Sequence, residues 1–419
     1  MLGANLFELI LSDFFDFDMV VNTNSDEVIK VLSKGVAEVL VKEELEKKLK
    51  SGKQLIIKLG IDPTGFDLHL GHMVVVHKLK EFQELGHKII LIFGNFTGQI
   101  GDPSGKSEAR PLRTQAELEQ NAVHYLKQVS CILDIDKVET RWNADWLSSL
   151  NFADVIQLAS NFTVAQMLER DMYQERIKQN KPISMHEFMY PLMQGYDSVE
   201  LKADVEVGGT DQTFNLHAGR TLQRAYGMEP QAILTVPILV GTDGSIKMGK
   251  TTGNYIGVDD APEEMYGKTM SIPDDILLDY FELAARVDEN KLIDVKKRLK
   301  KGDNPRDLKM ELAKRIVTLY HGEEAGKKAE NHFKTVFQNK DIPDEIEIVE
   351  IQGESWNIVD LISELGLCPS KSEGRRMVVQ GGVKLNSEKI ESIEETVKLN
   401  KDGVLIQVGK RKFRRVIPI

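Results

Sequence analysis

Two short apolar runs, "LIIKL" (55–59) and "KIILIF" (88–93), each end in a cluster of turn-forming residues, "GIDPTG" after the first and "GNFTGQIGDPSGK" after the second. Between them apolar residues recur every three or four positions, which predicts an amphipathic helix over residues 71–85. Strand, helix and strand at this spacing form a βαβ unit, so the two strands should pair in parallel with a right-handed crossover. A third run, "AILTVPILV" (232–240), reads as a further buried strand with Pro237 near its end. Residues 26–50 carry a charged helical pattern. The first 255 residues thus read as an α/β domain with a doubly wound, Rossmann-like parallel sheet.

From Asp259 the chain becomes charged and helix-rich, and "RDLKMELAKRIVTLYHGEEAGKKAENHFKTVF" (306–337) again spaces its apolar residues at three and four. An acidic, proline-containing connector follows, and the chain from Trp356 returns to a mixed pattern of one helix and several strands. The expected division is an N-terminal extension (1–30), the sheet domain (31–258), a helical domain (259–342), a linker (343–355) and a small α+β domain (356–419). A length of 419 residues, too great for one ordinary core, agrees with two or three domains.

Composition narrows the class. Hydrophobic residues at 41% and charged residues at 28% are those of a soluble globular protein. The two cysteines, Cys131 and Cys368, lack disulfide or metal-site spacing and read as buried thiols in a reducing compartment. The greasy start, "MLGANLFELILSDFFDFDMVV", lacks a basic leader and is interrupted by Asp13, Asp16 and Asp18, so the chain is expected in the cytoplasm. No run approaches the length of a membrane span. The net charge of −11 hides an asymmetry: from Trp356 onward 12 Lys+Arg face 8 Asp+Glu, a net +4, which leaves −15 for the rest. An acidic body with a basic tail, ending in "KRKFRR" (410–415), suggests a polyanionic partner held at one end.

Loops at the carboxyl ends of parallel strands are where doubly wound sheets bind ligands. "GIDPTGFDLHLGH" (60–72) sits there, with His69 and His72 three apart at a helix start. The first-turn N–H groups and the helix dipole favour an anion at that point. Gly71 permits close approach, and Thr64 offers a hydroxyl to the same spot. Later, "DGSIKMGKTTGN" (243–254) places Lys247, Lys250 and Thr251 on a glycine-rich loop able to reach outer phosphates. Each motif alone has a plainer reading as an ordinary surface or core feature, and a metal site lacks an evident third ligand nearby. "GDPSGKS" (101–107) fails as a phosphate loop because Ile100 stands where glycine is required.

Together, "HLGH" and "KMGKT" resemble the two signatures of class I aminoacyl-tRNA synthetases. "TGQIGDPSGKS", "YPLMQGYDS" (190–198) and "VEVGGTDQTFN" (205–215) narrow the resemblance to the tyrosyl-tRNA synthetase family, and it covers the chain from about residue 30 to the end. In the second signature Gly249 and Thr251 replace the commoner serines.

The resemblance implies activation of tyrosine by ATP to tyrosyl-adenylate, then transfer to the 3′-terminal adenosine of tRNA(Tyr). It implies that Thr64, His69 and His72 meet the phosphates and that Lys247, Lys250 and Thr251 close over the pyrophosphate. Asp211 would accept the ribose hydroxyls, with Gly60, Asp62, Gly71, Gly209, Gln212, Met248 and Gly249 around the nucleotide. Magnesium would arrive with ATP, with no metal held by the protein itself.

For the amino acid, the resemblance implies that Tyr190, Gln194 and Asp102 bind the α-ammonium and that Asp197 accepts the phenol O–H. A buried acceptor left empty by phenylalanine gives discrimination without editing, an effect best known from this family itself. One departure stands out. The family commonly has a tyrosine two residues before the glycine of the G-x-D-P-T motif, and here that residue is Lys58. Either the second phenol contact is lost, or Lys58 supplies a different one, for which a buried lysine beside Asp197 could pair with it and hold it ionised.

"PSKSEGRRMVVQGGVKLN" (369–386) resembles the S4 RNA-binding fold, which implies RNA contacts from Lys371, Arg375, Arg376 and Lys384, joined by Lys410, Arg411 and Lys412 of the tail. By the same resemblance the helical region approaches the anticodon and two copies form a homodimer. Alternatives are a tryptophanyl-tRNA synthetase, a small-molecule nucleotidyltransferase with the same histidine motif, and a degenerate RNA-binding relative.

Overall fold

Six strands form the sheet on which the larger unit is built. The computed structural model describes residues 20–65, 67–103, 114–337, 346–353, 355–390, 392–401, 403–409 and 412–419. The strands are β1 (Glu38–Leu40), β2 (Ile56–Ile61), β3 (Lys88–Phe93), β4 (Val138–Trp142), β5 (Val205–Gly209) and β6 (Ala232–Val236), in spatial order β1-β6-β5-β2-β3-β4. β2 through β6 pair in parallel, and β1 closes one edge antiparallel to β6. Strands covered on both faces need continuous apolar sequence, and Ile89 to Phe93 are all buried. β6 ends at Val236, because Pro237 has no N–H for the ladder.

The chain runs outward from β2 to β3 and β4, then returns to β5 on the other side of β2. The topological switch therefore lies between β2 and β5, and the ligand cleft opens over their carboxyl ends. Four helices frame it: α1 (Leu70–Glu84), α2 (Gln115–Val129), α3 (Met185–Glu200) and α4 (Thr213–Ala225). α3 and α4 touch through glycines. A Cβ on Gly195 would lie 2.9 Å from the Ala218 carbonyl carbon, and one on Gly219 2.8 Å from Ser198 Oγ. Only glycine lets the helices approach this closely.

The structure departs from the sequence-based reading at several points. Residues 26–50 are two helices, Ser25–Val31 and Lys42–Leu49, separated by β1; Gly35, at φ 59°, turns the chain so that "EVL" reaches the sheet edge. No unit boundary falls at 258/259, because the chain divides once, after Tyr320. The helices beyond Asp259 bury Met265, Tyr266, Leu277 and Phe281, and the Tyr280 hydroxyl donates to the Val240 carbonyl at 2.8 Å, so they share the sheet's core. The apolar spacing over 306–337 belongs to two helices, Pro305–His321 and Glu323–Phe337, separated at Gly322 with φ 86°. Cys131 is exposed in the turn after α2, and only Cys368 is buried.

The second unit, from His321, carries a five-stranded and a two-stranded sheet around a core that includes Ile358, Leu361, Ile362, Val378, Ile406 and Val416. Its helix Lys371–Val379 turns Gly374 and Val378 inward and Lys371, Arg375 and Arg376 outward. Among the described residues, no helix is long and apolar enough to cross a membrane.

Candidate active site

α3 presents Tyr190, Gln194 and Asp197 along one stripe, and all three are buried. Asp197 is 3% exposed and accepts hydrogen bonds from Trp146 Nε1 at 2.8 Å and Asn143 Nδ2 at 3.4 Å. The same Asn143 nitrogen donates to Thr97 Oγ1 at 2.9 Å, and Thr97 donates to Asp62 Oδ1 at 2.7 Å. The Tyr190 hydroxyl donates to the other Asp62 oxygen at 2.8 Å. One chain of hydrogen bonds therefore links Asp197 to Tyr190. It depends on Gly94, where a Cβ would fall 1.9 Å from Asp62 Oδ1. Burial pushes the Asp197 carboxyl up to about 7, against the opposing pull of Lys58 and of the two donors.

Asp62, grouped by sequence with the nucleotide contacts, thus lies beside Tyr190. Asp102 lies against Gln212, whose Nε2 donates to Asp102 Oδ2 at 2.7 Å. Lys58 does not take Asp197 as its direct partner. Its Nζ pairs with Glu206 at 3.1 Å and donates to the Gln194 carbonyl and to Ser198 Oγ. The reason is register: Lys58 faces Glu206 across the β2–β5 pairing.

At the other end of the cleft, His69 caps the start of α1 and His72 sits in its first turn, their rings stacked with centroids 3.8 Å apart. The His69 backbone N–H donates to His72 Nδ1 at 3.2 Å. Neutral His72 therefore carries its proton on Nε2, a donor on an exposed side chain. Burial, with His72 and the two lysines adding to it, pushes His69 down to about 2, so its imidazole is neutral, and its Nδ1 is buried without a partner among the described residues. Gly71 lies against the His69 ring, and Gly60 is exposed directly after the buried Ile57, Lys58 and Leu59, where the floor is bare backbone.

The lysine loop closes on this helix start. His69 bridges to Gly257, and the Leu70 N–H donates to the Ile256 carbonyl at 3.0 Å. Lys247 Nζ pairs with Asp211, and Lys250 Nζ lies 3.7 Å from Asp67 Oδ2. Met248 is buried beneath the loop, whereas Thr251 is exposed. Gly209 lets the backbone pass Asp211 and Ile238, where a Cβ would meet both within 2.9 Å. Thr64 follows Asp62 in a tight turn, its N–H donating to the Asp62 carbonyl at 2.7 Å. His124 Nε2 bridges Asp67 at 2.9 Å and Asp259 at 3.1 Å, tying α2 to this corner.

Sequence reasoning missed Asn143, Trp146, Thr97, Glu206, Asp67 and His124. Asn143 and Trp146 follow β4 in "RWNADW", a carboxyl strand end that marks a ligand position once β4 is read as a strand. In the second unit Lys371 pairs with Asp360 at 2.9 Å, Arg376 with Glu373 at 2.6 Å, and Lys384 is exposed. Lys412 already donates to the Leu367 carbonyl at 2.7 Å; Lys410 and Arg411 lie outside the described residues.

The likeness to class I aminoacyl-tRNA synthetases extends over most of the chain. Residues 50–338 match the family "tRNA synthetases class I (W and Y)", and residues 338–416 match "Tyrosine--tRNA ligase SYY-like C-terminal domain". The tyrosine–tRNA ligase of Thermotoga maritima is 51% identical over 392 residues, 93% of this chain and 97% of that one. That of Moorella thermoacetica is 50% identical over 393 residues, with 93% and 95% covered. The fold is that of the tyrosyl-tRNA synthetase from Archaeoglobus fulgidus, solved with L-tyrosine, at TM-score 0.60 and 24% identity over 73% of this chain and all of that one. A truncated mitochondrial tyrosyl-tRNA synthetase from Aspergillus nidulans matches at TM-score 0.61 and 21% identity, with 75% and 94% covered. The chain belongs to the tyrosine–tRNA ligase family, enzymes that use ATP to join tyrosine to tRNA, which decides between tyrosine and tryptophan.

Proposed function

We propose that this cleft divides the activation of tyrosine between its two ends, with the ring selected at Asp197 and the triphosphate received at His69 and His72. The attacking carboxylate is ionised at neutral pH, so the α-phosphorus reaction needs no general base; positioning and charge stabilisation remain. The phenol O–H donates to Asp197, and the α-ammonium meets Gln194, Tyr190, Asp62 and Asp102. Asp211 and Gln212 take the ribose, with bare backbone at Gly60 and Gly209. His72 Nε2–H, the α1 N-terminus and Thr64 follow charge on the phosphates, while Lys247, Lys250 and Thr251 gather the leaving pyrophosphate and Met248 and Gly249 shape the loop. Magnesium enters bound to ATP as substrate. The observation that carries this reading is Asp197, a buried carboxylate with two fixed donors at the far end of the α3 stripe. Exchange of labelled pyrophosphate into ATP, run with each of the twenty amino acids, tests it: only tyrosine should support exchange, and equal support by phenylalanine would refute the role of Asp197.

The second unit is the tRNA-binding end, with Lys371, Arg375, Arg376 and Lys384 meeting phosphates. The helices following Asp259 lie on the anticodon side. Because the second unit has its own core, a protein ending before residue 350 is expected to keep tyrosine activation at the wild-type rate and to lose tRNA affinity. Filter binding and aminoacylation assays check this; unchanged charging would count against it.

The enzyme acts in the cytoplasm as a homodimer. Several large apolar side chains between residues 152 and 185 are exposed, including Phe152 at 80%, Val164 at 71% and Met185 at 74%. Such exposure on three helices of one segment fits a partner surface. Phe152→Glu should shift the sedimentation profile from dimer to monomer, whereas an unchanged profile would place the interface elsewhere.

A further inference from the structure

Beneath the amino-acid end lies a buried ion pair that the chemistry of activation does not call for. Lys58 on β2 and Glu206 on β5 are neighbours across the parallel pairing, with Nζ and Oε1 3.1 Å apart. Lys58 uses all three donors: on Glu206, on the Gln194 carbonyl at 3.0 Å and on Ser198 Oγ at 2.5 Å. Glu206 is equally full. Its Oε1 accepts from Lys58 and from Gln194 Nε2 at 3.1 Å, and its Oε2 from Ser198 Oγ at 3.1 Å and Gln231 Nε2 at 2.5 Å. A buried ion pair is weak support for stability, since desolvation offsets the attraction, so its effect is better sought in what it orients.

It orients Gln194. A carboxylate can only accept, so the amide of Gln194 can face Glu206 only with its nitrogen. The carbonyl oxygen Oε1 is then the end turned away from Glu206. An ammonium substrate requires that choice, because an acceptor attracts it and an NH2 group repels it. We propose that Glu206, held in place by Lys58, is a positioning residue that fixes the Gln194 amide with Oε1 toward the substrate's α-ammonium. The inference rests on the assignment of Gln194 to the ammonium given above. It accounts for the lysine at position 58: Lys58 serves the ammonium end through Glu206, and the phenol is left to Asp197.

The test compares L-tyrosine with 3-(4-hydroxyphenyl)propanoate, the same molecule without its ammonium, by equilibrium titration of the full-length enzyme. In Glu206→Gln the new side chain can donate as well as accept, so the Gln194 amide is free to turn over. Tyrosine affinity should fall about tenfold to a hundredfold, the range expected for a hydrogen bond to a charged group, while the propanoate changes by less than about threefold. Equal loss for both ligands, or no loss for tyrosine, overturns the proposal. Should Glu206→Gln fail to fold with Lys58 unpaired, the double variant Lys58→Met/Glu206→Gln restores neutrality and carries the same expectation. Gln194→Leu separates the two levels. If it removes the advantage of tyrosine and the Glu206 variants keep it, the positioning role falls and the ammonium assignment stands; if Gln194→Leu keeps it, that assignment falls first.

Discussion

Replacing Asp197 with alanine should collapse the preference for tyrosine over phenylalanine, chiefly by lowering kcat/KM for tyrosine at least ten- to a hundredfold. Tyrosine loses the acceptor for its hydroxyl, and phenylalanine, which never used one, loses nothing comparable. The variant also leaves Trp146 Nε1 and Asn143 Nδ2 facing a cavity, because both donate to the carboxylate. Asp197→Asn keeps the volume and is the cleaner comparison. Acidity adds a second signature. Burial raises the carboxyl from 3.8 to about 7, so it gains a proton as pH falls through neutrality. Tyrosine selectivity should rise with pH around that midpoint, and Asp197→Asn, neutral throughout, should show no such rise. The fold responds in the opposite sense. Since the folded value lies above the unfolded one, this group's contribution to stability is fully present below about pH 4 and is lost as pH rises through about 7. Function uses the charge that the fold resists. Steady-state kinetics with both amino acids and thermal melts across pH 5–9 check the two halves separately.

Lys250→Met should slow tyrosyl-adenylate formation by about 10²–10³-fold, the range typical of removing one fixed donor from developing charge, while tyrosine affinity stays within about twofold. The separation follows from place: Lys250 is on the glycine loop beside Asp67, and the amino-acid contacts are on α3. Lys247 is more exposed and rests on Asp211, the proposed ribose acceptor, so ATP must displace that pair before the ribose can dock. Lys247→Met should therefore lower the rate with a smaller rise in KM for ATP than Lys250→Met, because freeing Asp211 offsets part of the lost phosphate contact. Stopped-flow measurement of adenylate formation at varied ATP reads both effects. Equal loss of tyrosine affinity in the lysine variants would contradict the division of the cleft.

The βαβ frame was legible because β2, β3 and the helix between them are short, strongly periodic and bounded by glycines. The sheet edge was not, since "EVL" is three residues inside a charged stretch and becomes a strand only by pairing with β6. The clustering at carboxyl strand ends was legible where a motif repeated a known spacing: His69 and His72 at the α1 start beside the loop of Lys247 and Lys250, proposed to meet the phosphates, and the buried α3 stripe, proposed to meet the ring. What the sequence withheld are contacts between residues distant along the chain. Lys58 points at Glu206 because of strand register, and Asp197 is held by Trp146 from the end of β4. Neither follows from local periodicity. The helices after Asp259 read as a separate domain from composition alone, but their aromatic side chains finish the core of the sheet, which composition does not encode.

The most direct measurement is a crystal structure of the enzyme with a non-hydrolysable tyrosyl-adenylate analogue. The phenol oxygen should lie within hydrogen-bonding distance of Asp197, the ammonium against Gln194 Oε1, and the phosphate against His72 with the α1 N-terminus. A phenol turned away from Asp197, or a phosphate remote from both histidines, would contradict the account.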